Sequence, residues 1–155
     1  MVTKGQMTGM RGVYLVAAEL SRLGFIVSPT SRSARGADLL VTDQECQKAW
    51  SVQVKTNKKP VNFWLVGVHG LMLKSDSHLY VFVNLKKGDE RPEYIVAPSA
   101  CVADKTKISK GTTGAVWYEF HRKDRPVAGE GWHFFGDPHA SEPDDTAPHA
   151  DQISN

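Results

Sequence analysis

The sequence has few of the features that mark secreted, zinc-binding or membrane proteins. Its two cysteines, Cys46 and Cys101, are isolated and form no CxxC motif, so we expect reduced thiols and no zinc site. No apolar run approaches the roughly 20 residues that a membrane span needs. The lysine near the N-terminus is not followed by the apolar segment of a secretory signal. We therefore expect a cytoplasmic protein with no membrane contact.

Composition shows no extreme either. The 155 residues are 41% hydrophobic and 23% charged, as in an ordinary globular protein. The net charge of +2 permits nucleic-acid binding without requiring it. Residues 136–155 contain three prolines among polar residues and no aromatic residue, which is typical of disorder. We predict a single domain over residues 1–135 and a disordered polar tail over 136–155.

Apolar spacing predicts one long helix and several strands. Residues 8–23 carry apolar side chains at three- and four-residue intervals and end at Gly24, which predicts an amphipathic helix. Period-two and β-branched runs predict strands over 25–28, 38–42, 50–56, 78–85, 93–96 and 115–120. We expect a short helix over 98–103, a basic loop over 105–114 and a docking segment over 131–135. Residues 61–74 fit either a strand or a helix start. This order predicts an α/β fold with a central mixed sheet flanked by helices.

Polar residues stand on two of these strands where apolar ones are expected. Asp38 closely follows Gly36, and Gln53 and Lys55 share one face of their strand because side chains alternate along a strand. The short connection over 43–48 predicts antiparallel pairing, which would bring an acid, an amide and an ammonium group together. Singly, Asp38 could cap a turn, Gln53 and Lys55 could be the solvated face of an edge strand, and Glu19 could be an exposed helix residue. Taken together, they favour a site.

Glu19, Asp38 and the stretch over 53–55, in this order, resemble the PD-(D/E)XK nuclease superfamily. That group includes restriction endonucleases, archaeal Holliday junction resolvases and repair nucleases. Its signature is an acid on one strand and acid-x-Lys on the next, often with a glutamate from the preceding helix. The resemblance covers roughly residues 10–135 and is strongest to small stand-alone bacterial members. It implies a restriction endonuclease-like sandwich.

The resemblance also implies residue roles. Asp38, Glu19, the Gln53 side chain and the Val54 backbone carbonyl would bind Mg²⁺ or Mn²⁺, and Lys55 would stabilise the transition state. Gln53 departs from the signature, since an acid is usual there and an amide oxygen is a weaker ligand. A metal-dependent nuclease is the main interpretation. The alternative is a catalytically degenerate module for nucleic-acid binding or assembly on the same fold.

The substrate side of the resemblance rests on polar and basic residues. Ser31, Ser33 and Arg35 lie just before Asp38 and are candidates for phosphate contacts, although a plain polar loop explains them equally well. Lys58 and Lys59 are candidates for the same role, although such lysines are more often solubilising. DNA is the expected partner, in restriction, repair, recombination or mobile-element biology, and RNA stays open.

Many relatives act as dimers, because cutting two strands takes two sites. We therefore expect a homodimer, and the apolar stretch over residues 63–66 is the candidate surface for it.

Overall fold

A computed structural model describes residues 1–31 and 36–139. In these residues it has two α-helices, α1 (Lys4–Arg22) and α2 (Ser99–Lys105), and eight strands. The first four strands are β1 (Ile26–Pro29), β2 (Leu39–Thr42), β3 (Ala49–Asn57) and β4 (Phe63–Leu65). The last four are β5 (His78–Asn84), β6 (Glu93–Pro98), β7 (Lys107–Lys110) and β8 (Val116–His121). No helix in the described part of the chain has the length and apolar character to cross a membrane.

The main sheet joins five strands in the order β1-β2-β3-β5-β6. Its neighbours pair antiparallel except β3 and β5, which run parallel. A parallel pair needs a crossover connection, and the segment between these strands contains β4 and a 3-10 turn over Val68–Leu71. The predicted central mixed sheet and the antiparallel pairing of β2 with β3 are confirmed. Strand β5 is buried along its whole length.

Helix α1 covers one face of the main sheet and begins earlier than predicted. Thr3 and Gln6 form a capping box, in which each backbone N–H donates to the other's side chain, so the helix starts at Lys4 rather than at residue 8. Val16 and Leu20 are fully buried against the sheet. Gly12 contacts β3 so closely that a Cβ there would overlap the hydroxyl group of Thr56.

The second face of the main sheet is covered by α2 and by a small antiparallel sheet of order β4-β8-β7. Trp64, Phe82 and Phe120 fill the core between the two sheets, and the rings of Phe82 and Phe120 stack with centroids 4.6 Å apart. The basic loop predicted over residues 105–114 was wrong in part, because that stretch contains strand β7. The flanking layers are therefore a helix on one face and a helix with a small sheet on the other.

The chain after β8 returns to the main sheet. A 3-10 turn over Trp132–Phe135 buries Phe135 against Phe25 and Trp50, which is the predicted docking segment. Beyond it, the backbone N–H of Gln44 donates to the carbonyl of Pro138 at 3.1 Å. Residues 140–155, most of the predicted tail, lie outside the described residues, so the domain boundaries stay a prediction.

Candidate active site

Asp38 is fixed by the backbone where the chain enters β2. Its N–H donates to the carbonyl of Val52 at 2.7 Å, and its own carbonyl accepts from the N–H of Thr30 at 2.9 Å. Gly36, two residues earlier, has a positive φ of 83°, which glycine adopts without the strain that a Cβ would cause. These contacts hold the Asp38 side chain next to strand β3.

Strand β3 supplies two donors to that carboxylate. Oδ2 of Asp38 accepts from Nε2 of Gln53 at 2.5 Å and from the backbone N–H of Val54 at 2.8 Å. Lys55 follows on the same strand, and Gln53 and Lys55 are paired with Tyr80 and Phe82 of β5. The structure therefore brings Asp38, Gln53 and Val54 into direct contact.

The charges of Asp38 and Lys55 act on each other in a partly dehydrated setting. Burial raises the pKa of Asp38, an effect that the Val54 N–H and the positive charge of Lys55 oppose. Burial lowers the pKa of Lys55, and the negative charge of Asp38 opposes this. In both groups the loss of hydration outweighs the attraction between them. Such groups respond strongly to a new charge placed nearby.

A pocket of about 360 Å³ opens beside these residues. Asp38, Gln53 and Val54 form its β-sheet side, and the described part of the loop after β1 contributes Thr30 and Ser31. The N-terminal half of α1 supplies the opposite wall through Gln6, Gly9, Met10, Val13 and Tyr14. Among the described lining residues, Asp38 is the only carboxylate.

Glu19, which is expected to supply a second carboxylate, is not among the described residues that line the pocket. Its Oε1 accepts from Nη1 of Arg91 at 2.7 Å, and its Oε2 accepts from Nη2 of Arg22 at 2.9 Å. Arg91 also pairs with Glu130 at 3.0 Å. The hydrogen bond from Arg91 is the main cause that lowers the pKa of Glu19. Tyr14 is the last residue of α1 that lines the pocket, and Glu19 follows it by about 7 to 8 Å along the helix axis.

The remaining predicted contact residues divide into three groups. Ser31 lines the pocket, whereas Ser33 and Arg35 lie outside the described residues. Lys58 and Lys59 line a wider groove next to the pocket, and the two cavities share Met10 and Tyr14 of α1.

Sequence reasoning missed the contribution of the first helical turns. Gln6 lines the pocket, and Lys4 and Arg11 line the groove, but apolar spacing does not mark these residues. The spacing of Thr3 and Gln6 is a capping-box signature that marks the true helix start. It shows that the helix includes all three residues.

The oxygen atoms around Asp38 are of the type that a hard divalent cation binds. They are too few to fill its coordination shell, so water or substrate would have to supply the other ligands. No group of three or more His, Cys, Asp or Glu side chains that could hold a metal occurs among residues 1–31 and 36–139. Mg²⁺ is often bound by one or two carboxylates, with water and substrate phosphates completing its shell. One carboxylate, the Gln53 amide and the Val54 carbonyl fit that mode of binding.

Comparison with known proteins gives few matches. No protein-family model and no curated protein matches the chain. Among solved structures, the chain is similar to Hjc of Archaeoglobus fulgidus, described as a Holliday junction resolvase from an archaeal hyperthermophile. The two chains are 12% identical, with a TM-score of 0.49, and the match covers 83% of this chain and 96% of Hjc.

Proposed function

We propose that the protein is a metal-dependent nuclease that hydrolyses phosphodiester bonds, with DNA as its substrate. The observation that carries the proposal is the contact of Asp38 with Gln53 and Val54 at an open pocket. Lys55 directly follows Val54 on β3. Together with Glu19, these residues, in their order along the chain, carry the resemblance to PD-(D/E)XK nucleases.

Each residue has a role that its contacts support. Asp38 would be the anionic ligand of Mg²⁺ or Mn²⁺, through the oxygen that does not accept from β3. Gln53 and the Val54 N–H hold the carboxylate in position, and the Val54 carbonyl and Gln53 amide would be further oxygen ligands. A bound divalent cation would offset phosphate charge and lower the pKa of a water molecule. Lys55 would stabilise the negative charge that develops in the transition state.

One observation favours a second function, a nucleic-acid-binding or assembly module without efficient catalysis. Asp38 is the single carboxylate among the described residues that line the pocket, and the Glu19 carboxylate is held by Arg91 and Arg22. A site with one acid binds metal weakly unless the substrate contributes ligands. The two functions differ in whether the substrate phosphate completes a working metal site.

Cleavage assays decide between them. Supercoiled plasmid and a set of branched DNAs would be incubated with Mg²⁺ or Mn²⁺ and with wild type, Asp38→Asn or Lys55→Met. We expect metal-dependent cutting that either substitution reduces about 10²- to 10³-fold. Asp38→Asn keeps an oxygen acceptor for Val54, and both variants would be checked for folding by circular dichroism.

The Glu19→Gln variant is the matched control, since it removes a carboxylate of α1 that lies outside the pocket. It should keep the cutting activity and the metal requirement of the wild type. Cutting that survives both Asp38→Asn and Lys55→Met would contradict the proposed site. Absence of cutting with either metal, together with metal-independent DNA binding, would establish the binding module instead.

A further inference from the structure

A long groove beside the pocket concentrates much of the positive charge of the protein. It has a volume of about 1040 Å³ and lies between the N-terminal half of α1 and the segments that follow β3 and β5. The described residues that line it include no Asp or Glu. Its cationic residues are Lys4, Arg11, Lys58, Lys59, Lys86 and Lys87.

The positive charge of this groove is not neutralised by the described part of the chain. None of its six cationic side chains forms an ion pair with a described residue, whereas Lys74, Arg22 and Arg91, outside the groove, are each paired with a carboxylate. The whole chain carries a net charge of only +2, so this surface is far more positive than the average. A polyanion is the ligand that such a surface attracts.

The floor of the groove is apolar, which narrows the choice of polyanion. Met7 and Tyr14 are 56% and 59% exposed, and Leu15, Pro60 and Leu85 complete the floor. The backbone of a double helix presents phosphates and sugars to a protein, while its base faces are stacked inside. An unpaired strand can place its base faces on apolar and aromatic side chains while its phosphates contact the cations. Cations around an apolar floor therefore fit an unpaired strand better than a duplex.

The groove lies next to the candidate active site. Met10 and Tyr14 line both the groove and the Asp38 pocket, so the two cavities meet at these side chains of α1. We propose that the groove binds a single-stranded segment of nucleic acid, and that the substrates of the protein are nucleic acids with an unpaired strand. This inference rests on the proposed function, whose site it extends.

Binding measurements test the charge component separately from cleavage. Fluorescence anisotropy in EDTA would compare an unpaired oligonucleotide of about 20 nucleotides, the duplex of the same length and a duplex with a single-stranded overhang. The double variants Lys58→Gln/Lys59→Gln and Lys86→Gln/Lys87→Gln should weaken single-strand binding. Each should also reduce the salt slope by about 0.7 for every phosphate that the variant no longer neutralises. The control Lys107→Gln/Lys110→Gln removes the same charge from exposed β7 and should bind as wild type.

The apolar floor has its own test in Tyr14. Tyr14→Ala should weaken single-strand binding about tenfold, the effect typical of one stacked base, and should leave duplex binding unchanged. Tyr14→Phe keeps the ring and should bind like wild type. Because Tyr14 is exposed, neither substitution should disturb folding.

Several results would overturn the inference. These are equal or tighter binding of the duplex, groove variants that bind single strands as wild type does, or binding of an acidic amphipathic peptide in place of any oligonucleotide. The last would identify a protein partner as the occupant. Single-strand binding in a protein that cuts no substrate would refute the proposed nuclease and leave the groove assignment standing. Cutting of blunt duplex without single-strand binding would refute the groove assignment and leave the proposed nuclease standing.

Discussion

Gln53 is the residue that bears most on the choice between the two proposed functions. Its amide donates to Asp38 at 2.5 Å, so it stabilises the carboxylate in the absence of metal, yet it offers a metal only a neutral oxygen. An acid at this position would do the opposite, since two carboxylates in contact repel each other until a cation joins them. Compared with an acid, the amide therefore makes the metal-free protein more stable and gives the site a lower affinity for metal.

The Gln53→Glu substitution should reverse this preference. Without metal, the variant should be about 1.5–3 kcal/mol less stable, because it removes a hydrogen bond to a charged group and adds a like charge. With Mn²⁺ it should gain more stability than wild type, as expected when ligand binds the folded state alone. Thermal unfolding at increasing Mn²⁺ concentrations measures both effects. Gln53→Met is the control without a side-chain oxygen, and a Gln53→Glu variant that responds to Mn²⁺ no more than wild type would refute the metal site.

A second prediction for a single residue concerns Asp38 and the pH dependence of the stability of the fold. Burial raises its pKa in the folded protein above the unfolded value of 3.8, so the folded state binds more protons between the two pKa values. Stability then falls as pH rises through that window and is constant above it. Asp38→Asn does not titrate there, so the stability of this variant relative to wild type should increase with pH over the same range.

Urea unfolding in EDTA at a series of pH values measures that difference. Asn keeps an acceptor for the Val54 N–H, so the comparison isolates the charge. If the relative stability of Asp38→Asn decreased with rising pH, the attraction of Lys55 would outweigh the burial of Asp38, and the site would hold its carboxylate charged without metal.

At the scale of elements, α1 packs closely on β3. Gly12 is buried directly on Thr56, which lets the helix approach the strand that carries Gln53 and Lys55. Gly9, one turn earlier, has no described atom beyond its own stretch of helix backbone within 4 Å of the place that its Cβ would occupy. The helix therefore has no room for a Cβ at Gly12 but has room for one at Gly9.

This contrast predicts opposite effects of alanine at the two positions. Gly12→Ala should destabilise the fold by about 1–3 kcal/mol, the range for overpacking, because the new Cβ overlaps Thr56. Gly9→Ala should stabilise it by about 0.5–1 kcal/mol, since alanine favours a helix over glycine. Chemical denaturation of both variants measures the difference. Equal effects would mean that α1 does not rest on Thr56 at this distance.

The elements also show what sequence patterns can and cannot reveal. Period-two runs predicted β2, β3 and β5, because buried strands need regular apolar side chains, and they placed Asp38 beside Gln53 and Lys55. The pattern failed at the start of α1, where Thr3 and Gln6 extend the helix by backbone capping rather than by apolar spacing. It also failed for β7, whose lysines are exposed at the edge of a small sheet.

Glu19 shows a limit of a different kind. Helical spacing relates it to Leu23 and Leu15 but carries no information about Arg91, 72 residues away. That partner comes from tertiary structure, and its ion pair decides the direction of the Glu19 side chain. A short sequence motif therefore cannot show that Glu19 pairs with Arg91 and Arg22.

At the scale of the whole molecule, the second sheet has an outer surface with exposed apolar side chains beside the Glu119–His121 pair. Phe63, Leu65 and Trp117 are 39%, 44% and 46% exposed, respectively. Trp64 and Val66, from the same predicted stretch, are buried in the core. Only the alternate residues of the stretch over 63–66 are therefore available for the predicted homodimer.

We expect this surface to form the dimer contact, because burying exposed apolar side chains in pairs is the main driving force of association. For the proposed nuclease, two copies would also provide the two sites that cutting both strands of DNA requires. Sedimentation velocity should show a monomer–dimer equilibrium for the wild type, and Leu65→Lys/Trp117→Lys should be a monomer at the same concentration. The control Met72→Lys changes an apolar side chain that is 76% exposed outside the sheet and should leave the equilibrium unchanged. A wild-type protein that stays monomeric at every concentration would require each strand of a substrate to be cut in a separate encounter, and nicked plasmid would then accumulate before linear product.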